Sequence, residues 1–96
     1  MKKFKIVVVG QGYVGISNSV LLAQNNEVIA VDLDKSRVAL VNQKKSTVED
    51  LDIDKFFKSK ALNLKAVLPS EVNYSNADFV IIATPTNYNE KTNYFD

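Results

Sequence analysis

The sequence predicts an α/β fold in which helices cover a mostly parallel sheet. Two stretches, Phe4–Val9 and Asp78–Thr84, are nearly continuous apolar runs, as in strands buried on both faces of a parallel sheet. A third stretch, Glu27–Asp32, is apolar until its last residue. Helix-like segments separate these strands, and that alternation favours parallel pairing through right-handed crossovers.

The segments between the first strands carry helix signals. Tyr13–Gln24 contains no proline and suits a helix that ends at the turn residues Asn25 and Asn26. A second helix is predicted to end near Gln43. Its N-cap is predicted to be either Asp34 or Ser36. Val38 and Val41 are expected to face inward.

The second half of the chain is predicted from weaker signals. Lys44–Thr47 is polar and loop-like, and a short strand is expected to end before Pro69. A third helix is predicted at Asp50–Lys60 from the spacing of its apolar residues. The apolar residues of this third helix are Leu51, Ile53, Phe56 and Phe57. The other predicted elements are the strand Leu64–Leu68, a turn or single helical turn at Ser70–Asn76, and a loop-like segment at Pro85–Asp96.

This order of elements predicts a sheet with strand order 3-2-1-4. A doubly wound domain of two βαβαβ halves needs about 150 residues, whereas this chain has 96. The helix that should cover the fourth strand is missing, and Asp96 would be a reasonable N-cap for it. Residues 1–96 are therefore predicted to be a partial, three-layer half-domain, truncated from a longer protein.

Composition excludes several kinds of site within this chain. There are no cysteines and no histidines, so disulfides, thiol catalysis and imidazole chemistry are absent. No catalytic residue and no metal site is predicted. A formal net charge of +1 gives no sign of nucleic-acid or membrane binding. No apolar run approaches the ~18 residues of a membrane span, so a cytoplasmic location is expected.

All three glycines lie within six residues, in the spacing G-x-G-x-x-G. Gly10 would permit a tight turn, Gly12 would let a pyrophosphate approach the backbone, and Gly15 would let a helix pack closely on the strand. The first amides of that helix would then face the phosphates. This predicts a Rossmann-like dinucleotide site, and the alternative is a glycine-rich turn that binds nothing.

Asp32 ends the second strand, 22 positions after Gly10. An acidic residue at about this distance accepts hydrogen bonds from the adenosine ribose and repels a 2′-phosphate, which favours NAD over NADP. Arg37 could reach the same ribose, although a nearby arginine can also accommodate a 2′-phosphate. A turn-forming aspartate and a solvated arginine are the alternatives.

Thr86 follows the fourth strand, where ligands of open α/β sheets bind. The first and fourth strands flank the point at which strand order reverses. Thr86 is therefore predicted to lie near the middle of the dinucleotide, with an ordinary turn residue as the alternative.

Three segments together carry a resemblance: KIVVVGQGYVG, EVIAVDLD, and FVIIATPTNYN followed by NYFD. They are similar to the amino-terminal part of the UDP-glucose/GDP-mannose dehydrogenase family, and in particular to its members that oxidise UDP-glucose to UDP-glucuronate with two NAD. The resemblance spans essentially the whole chain. It implies NAD contacts from the glycine loop including Tyr13 and Val14, ribose contacts from Asp32 and Arg37, and a contact from Thr86.

The resemblance also implies what this chain lacks. The family's chain is several times longer, and its catalytic residues and sugar-nucleotide pocket lie beyond residue 96, so the UDP-sugar would bind only the full-length enzyme. Two other hypotheses remain: a stand-alone nucleotide-sensing module similar to those that gate potassium channels and transporters, and an α/β domain without a ligand. The isolated chain is also expected to be marginally stable or to self-associate, because its sheet has an uncovered edge and an apolar face.

Overall fold

The computed structural model describes residues 3–59, 61–83, 88–89 and 94–95. In those ranges, four strands form a parallel sheet and two short strands form an antiparallel pair. The elements are β1 (Lys5–Val9), α1 (Tyr13–Leu22), β2 (Glu27–Val31), α2 (Lys35–Asn42), α3 (Leu51–Ser59), β3 (Leu64–Val67), two 3₁₀ turns (Pro69–Glu71 and Tyr74–Asn76), β4 (Phe79–Ile82), β5 (Tyr88–Asn89) and β6 (Tyr94–Phe95).

The strand order is β3-β2-β1-β4, all parallel, so the predicted fold class and order are confirmed. Val9 at the end of β1 pairs with Val31 of β2 and Ile82 of β4. The segments that follow these three strands therefore leave the sheet at the same edge. That edge is where open α/β sheets hold their ligands.

The three helices pack on one face of the sheet. Each contributes side chains to a core cluster with Ala30 of β2 and Ala66 of β3. Successive right-handed crossovers in the same direction along a sheet place their helices on the same face, so no described helix forms the third layer of the expected arrangement. The helical members of the cluster are Ile16, Val20, Val41, Ile53 and Phe57.

Of the two candidate caps of α2, the structure uses Asp34. Its carboxylate accepts a hydrogen bond from the Ser36 backbone N–H at 2.8 Å. Val41 is buried and Val38 packs against the core, as predicted. In the connection that follows α2, Lys44 adopts a left-handed conformation with φ 61°, which is uncommon for a residue other than glycine.

The predicted third helix forms, but one member of its apolar set lies outside the core. Ile53 and Phe57 are buried and Phe56 packs beside them, but Leu51 is 79% exposed. Residues that share a helix face are three or four apart, and Leu51 lies only two residues before Ile53. The apolar count therefore favoured a helix correctly but did not place Leu51 on its buried side.

Two connecting segments also differ from expectation. The loop-like prediction for Pro85–Asp96 is wrong at the described pairs, since Tyr88–Asn89 and Tyr94–Phe95 form an antiparallel ladder. Tyrosine and phenylalanine favour strands, but the pairing partner cannot be read from local sequence. The segment predicted as one turn, Ser70–Asn76, contains most of two 3₁₀ turns.

Strand β4 is the most exposed part of the sheet. Phe79, Val80 and Ile82 are exposed, and over the described ranges β4 pairs with β1 alone. The Phe79 ring meets the Phe4 ring edge to face, with centroids 5.2 Å apart. Separately, none of the helices in the described part of the chain is long and apolar enough to cross a bilayer.

Candidate functional site

The glycine loop connects β1 to α1 at the ligand-binding edge of the sheet. Gly10 has φ 93°, a left-handed conformation that side chains disfavour. Its N–H donates to the Val31 carbonyl at 2.6 Å, which holds the turn against the end of β2. The conformation of Gly10 thus explains why the sequence needs glycine at this position.

Gly15 is the third residue of α1 and faces the same loop. A Cβ atom there would overlap the Gly10 carbonyl oxygen and lie 2.7 Å from the Gly10 carbonyl carbon. It would also lie 3.6 Å from the Ala83 Cβ atom, just after β4. The absence of a side chain at Gly15 therefore lets α1 begin directly against the loop.

Gly12 has different surroundings. A Cβ atom there would have Arg37 Nη1 as its nearest neighbour, at 3.9 Å. Its φ of −74° is open to any residue, so neither this conformation nor the space left by the described residues requires glycine here. An approaching ligand would supply the missing reason, because a Cβ atom would occupy the space in front of the backbone.

The first amides of α1 are available to an anion. Gly12 is the N-cap of α1 and has no side chain to accept from them. The first intrahelical bond runs from the Ile16 N–H to the Gly12 carbonyl at 2.9 Å. The N–H groups of the preceding first-turn residues have no intrahelical acceptor and carry the positive end of the helix dipole. The side chains of this turn, Tyr13 and Val14, are exposed.

Asp32 lies beside this loop and is only 8% exposed. Its Oδ2 atom accepts from the Gln11 backbone N–H at 2.7 Å, and its Oδ1 atom accepts from the Asp34 N–H at 2.8 Å. Arg37 Nη1 lies 3.4 Å from the same Oδ2 atom. The structure thus brings the glycine loop, Asp32 and Arg37 into one site.

A cleft of about 140 Å³ opens at this place. It is smaller than the roughly 300 Å³ of an ordinary small-molecule pocket, so it could hold only one end of a dinucleotide. Leu33 and Pro69 form part of its apolar wall and were missed from the sequence. In the sequence, Leu33 stands out as an apolar residue between two aspartates, and Pro69 as the proline that follows the third strand. The complete lining is Val9, Gly10, Val31, Asp32, Leu33, Arg37 and Pro69.

Thr86 lies outside the described residues. Ala83, three residues earlier, donates its N–H to the Val9 carbonyl at 2.8 Å. The chain therefore leaves β4 next to the start of the glycine loop. The proposed contact from Thr86 remains a prediction.

The surroundings of Gly12, the first amides of α1 and the carboxylate of Asp32 fit a dinucleotide with its pyrophosphate at the helix start and a ribose at Asp32. In the described part of the chain, no group of three or more acidic side chains could hold a metal ion. The polar groups of the site are backbone amides, the Asp32 carboxylate and the Arg37 guanidinium.

Comparison with known proteins agrees with this geometry. Residues 4–95 match the model of the UDP-glucose/GDP-mannose dehydrogenase family, NAD binding domain. A UDP-glucose 6-dehydrogenase of Campylobacter jejuni is 45% identical over 94 residues, 96% of this chain and 24% of that protein. A UDP-glucose 6-dehydrogenase of Streptococcus pneumoniae is 46% identical over 92 residues, 96% of this chain and 23% of that protein. The chain thus spans about a quarter of the length of these curated relatives.

Solved structures have the same fold. The ternary complex of GDP-mannose dehydrogenase from Pseudomonas aeruginosa superimposes with a TM-score of 0.79 at 23% identity, covering 95% of this chain and 21% of that one. The UDP-N-acetyl-mannosamine dehydrogenase of Staphylococcus aureus gives 0.76 at 26% identity, covering 96% and 22%. The predicted family and its cofactor, NAD, are confirmed. The chain belongs to the UDP-glucose/GDP-mannose dehydrogenase family, of which it is an NAD-binding domain.

Proposed function

We propose that this chain is the NAD-binding part of a UDP-glucose 6-dehydrogenase, an enzyme that oxidises UDP-glucose to UDP-glucuronate with two NAD. The identity of 45% and 46% to curated enzymes of that name supports the substrate. The segment ATPTNYN, residues 83–89, supports the same choice within the family. When bound, NAD supplies the acceptor for the hydride that leaves the sugar carbon.

The observation that carries the cofactor site is the space in front of Gly12, where the nearest described atom to an added Cβ is Arg37 Nη1 at 3.9 Å. In our proposal, the Gly12 backbone and the first amides of α1, at Tyr13, Val14 and Gly15, hold the pyrophosphate. The helix dipole favours the negative charge there. Gly10 turns the chain so that these groups face the phosphates.

Asp32 is proposed to bind the adenosine ribose. A carboxylate offers about four acceptor positions, and hydrogen bonds from Gln11, Asp34 and Arg37 occupy three of them. One ribose hydroxyl can therefore donate to Asp32 directly. A second ribose hydroxyl can bind only if Arg37 releases its contact with Asp32. That contact is weak, because its length is 3.4 Å. Arg37 would then bind the same ribose from its other side.

The carboxylate also supports NAD over NADP. A 2′-phosphate would come close to a nearly buried negative charge, and Arg37 already interacts with that charge. Thr86 is proposed to contact the dinucleotide between its two ends. Its support is the residue pattern after β4 and the family resemblance.

Cofactor titration tests the site. We expect the complete natural protein that carries these residues to bind NAD much more tightly than NADP, as measured by calorimetry. Gly12→Ala should weaken NAD binding without unfolding the domain. Equal affinity for NAD and NADP, or an unchanged affinity in Gly12→Ala, would contradict the proposed arrangement.

Substrate comparison tests the activity. UDP-glucose should drive NADH formation by the complete protein, two NADH for each UDP-glucose. GDP-mannose and UDP-N-acetyl-mannosamine, named for the enzymes of the solved structures, serve as competitors. Preference for either would assign a related sugar-nucleotide dehydrogenase instead. NAD binding without turnover of any sugar nucleotide would favour the nucleotide-sensing module. The cytoplasmic location and self-association stay predictions.

A further inference from the structure

Gln11, between the first two glycines, has a polar side chain that is fully buried at 0% exposure. Its Nε2 atom donates to the Val8 carbonyl at 3.0 Å. Its Oε1 atom accepts from the Ser19 hydroxyl of α1 at 3.0 Å. A backbone carbonyl can only accept, so the orientation of the amide follows from its partners. The side chain thus links the end of β1 to α1 beneath the glycine loop.

The main chain of Gln11 is held as well. Its N–H donates to Asp32 Oδ2 at 2.7 Å, and its carbonyl accepts from the Thr47 hydroxyl at 2.6 Å. Thr47 is 36 residues away, in the connection between α2 and α3. The main-chain and side-chain polar groups of Gln11 are therefore all paired within the protein. That makes Gln11 a positioning residue and not a ligand of the cofactor.

The contact from Thr47 also determines the direction of the next amide. The Gln11 carbonyl and the Gly12 N–H belong to one planar trans peptide, in which they point in opposite directions. Because Thr47 holds the carbonyl, the Gly12 N–H is directed away from Thr47. Rotation of this peptide would turn the amide and displace the adjoining N-terminal turn of α1.

We propose that Thr47, Gln11 and Ser19 form a brace that positions the pyrophosphate-binding amides of the glycine loop. The inference rests on the proposed NAD site and adds to it a residue from a distant part of the chain. Thr47 is the member to test, because its hydroxyl makes the contact and its side chain is only half-buried.

The adjacent residue offers a matched control. Ser46 lies in the same connection, where its hydroxyl donates to the Val48 carbonyl at 2.6 Å and accepts from the Val48 N–H at 3.1 Å. Its side chain has no described contact with the glycine loop. Ser46→Ala therefore disturbs the same connection without removing the contact to Gln11.

The test measures ligand dissociation constants of the complete natural protein by calorimetry. Thr47→Val keeps the shape of the side chain and removes the hydroxyl, and we expect it to weaken NAD and ADP-ribose about tenfold, the scale of one hydrogen bond. Adenosine, which has no phosphate, should keep its affinity. Thr47→Ser should restore NAD binding to within about twofold, and Ser46→Ala should leave it near the wild-type value. Melting temperatures measured beside these constants show how far each variant is destabilised.

Three results would overturn the brace while leaving the proposed function intact: wild-type NAD affinity in Thr47→Val, equal losses in Thr47→Ser and Thr47→Val, or an equal loss for adenosine. Each would assign Thr47 to general stability or to no role. Absence of NAD binding by the wild-type protein would overturn the proposed function and the brace together.

Discussion

Alanine substitutions at Gly12 and Gly15 separate cofactor binding from folding. At Gly12 an added Cβ meets Arg37 Nη1 at 3.9 Å, an ordinary contact, and the φ of −74° suits alanine. Changing this N-cap should therefore alter the free energy of unfolding by no more than about 1 kcal/mol. At Gly15 the same Cβ would overlap the Gly10 carbonyl oxygen.

The conflict at Gly15 involves backbone on both sides. No side-chain rotation can relieve it, and Gly10 is tied to the Val31 carbonyl by a 2.6 Å hydrogen bond. Moving α1 away would disturb the core around Ile16 and Val20. Overpacking of this kind costs about 3 kcal/mol or more. That is a large share of the roughly 5–15 kcal/mol that stabilises a domain.

The substitution at Gly12 should instead act on cofactor binding while the domain stays folded. A methyl group at Gly12 would occupy space assigned to the pyrophosphate, and overpacking of about 1–3 kcal/mol corresponds to about a 5- to 150-fold rise in Kd for NAD. Urea unfolding followed by circular dichroism measures stability, and calorimetry measures affinity. A Gly12→Ala protein that binds NAD normally would refute the assignment of Gly12. A Gly15→Ala protein as stable as wild type would refute the packing argument.

Three further substitutions test other contacts. Asp32→Ala should abolish measurable NAD binding. It should also lower the free energy of unfolding by about 2–4 kcal/mol, because the backbone N–H groups of Gln11 and Asp34 lose their acceptor. Wild-type stability in urea unfolding would contradict this. Asn42→Ala should lower the free energy of unfolding by about 1–3 kcal/mol, because the Asn42 side-chain amide exchanges two hydrogen bonds with the Ala66 backbone of β3, at 2.8 and 3.0 Å. Thermal melting measures this loss, and an unchanged melting temperature would contradict it. Ile82→Lys places a charge on strand β4, at a side chain that is 70% exposed. It should reduce self-association of the chain as measured by sedimentation. Equal association of the variant and the wild type would show that β4 does not form the contact.

Much of the fold follows from local patterns. Continuous apolar strands, the helical segments between the first three of them and the handedness of crossovers were sufficient for the order β3-β2-β1-β4. The predictions were wrong where the structure depends on tertiary contacts and not on the local sequence pattern. Leu51 is apolar but points outward, because burial depends on which helix face meets the sheet. The pairing of β5 with β6 depends on a contact between two short segments, and neither segment specifies its partner.

The candidate site divides in the same way. The spacing of the three glycines and the position of Asp32 follow from the chain itself, because a strand, a turn and a helix start each leave a local signal. The sequence alone therefore determined the kind of site and the family. Distance along the chain also made Arg37 a candidate, since it lies five residues beyond Asp32.

Only the tertiary structure decided how that site is held. It distinguishes Gly12, whose missing side chain leaves space for a ligand, from Gly15, whose missing side chain avoids a backbone collision. It also brings Thr47 to the Gln11 carbonyl across 36 residues. The physical reason is that a hydrogen bond between distant residues depends on how the connections pack, and that information is spread over the whole fold and absent from either residue's neighbours.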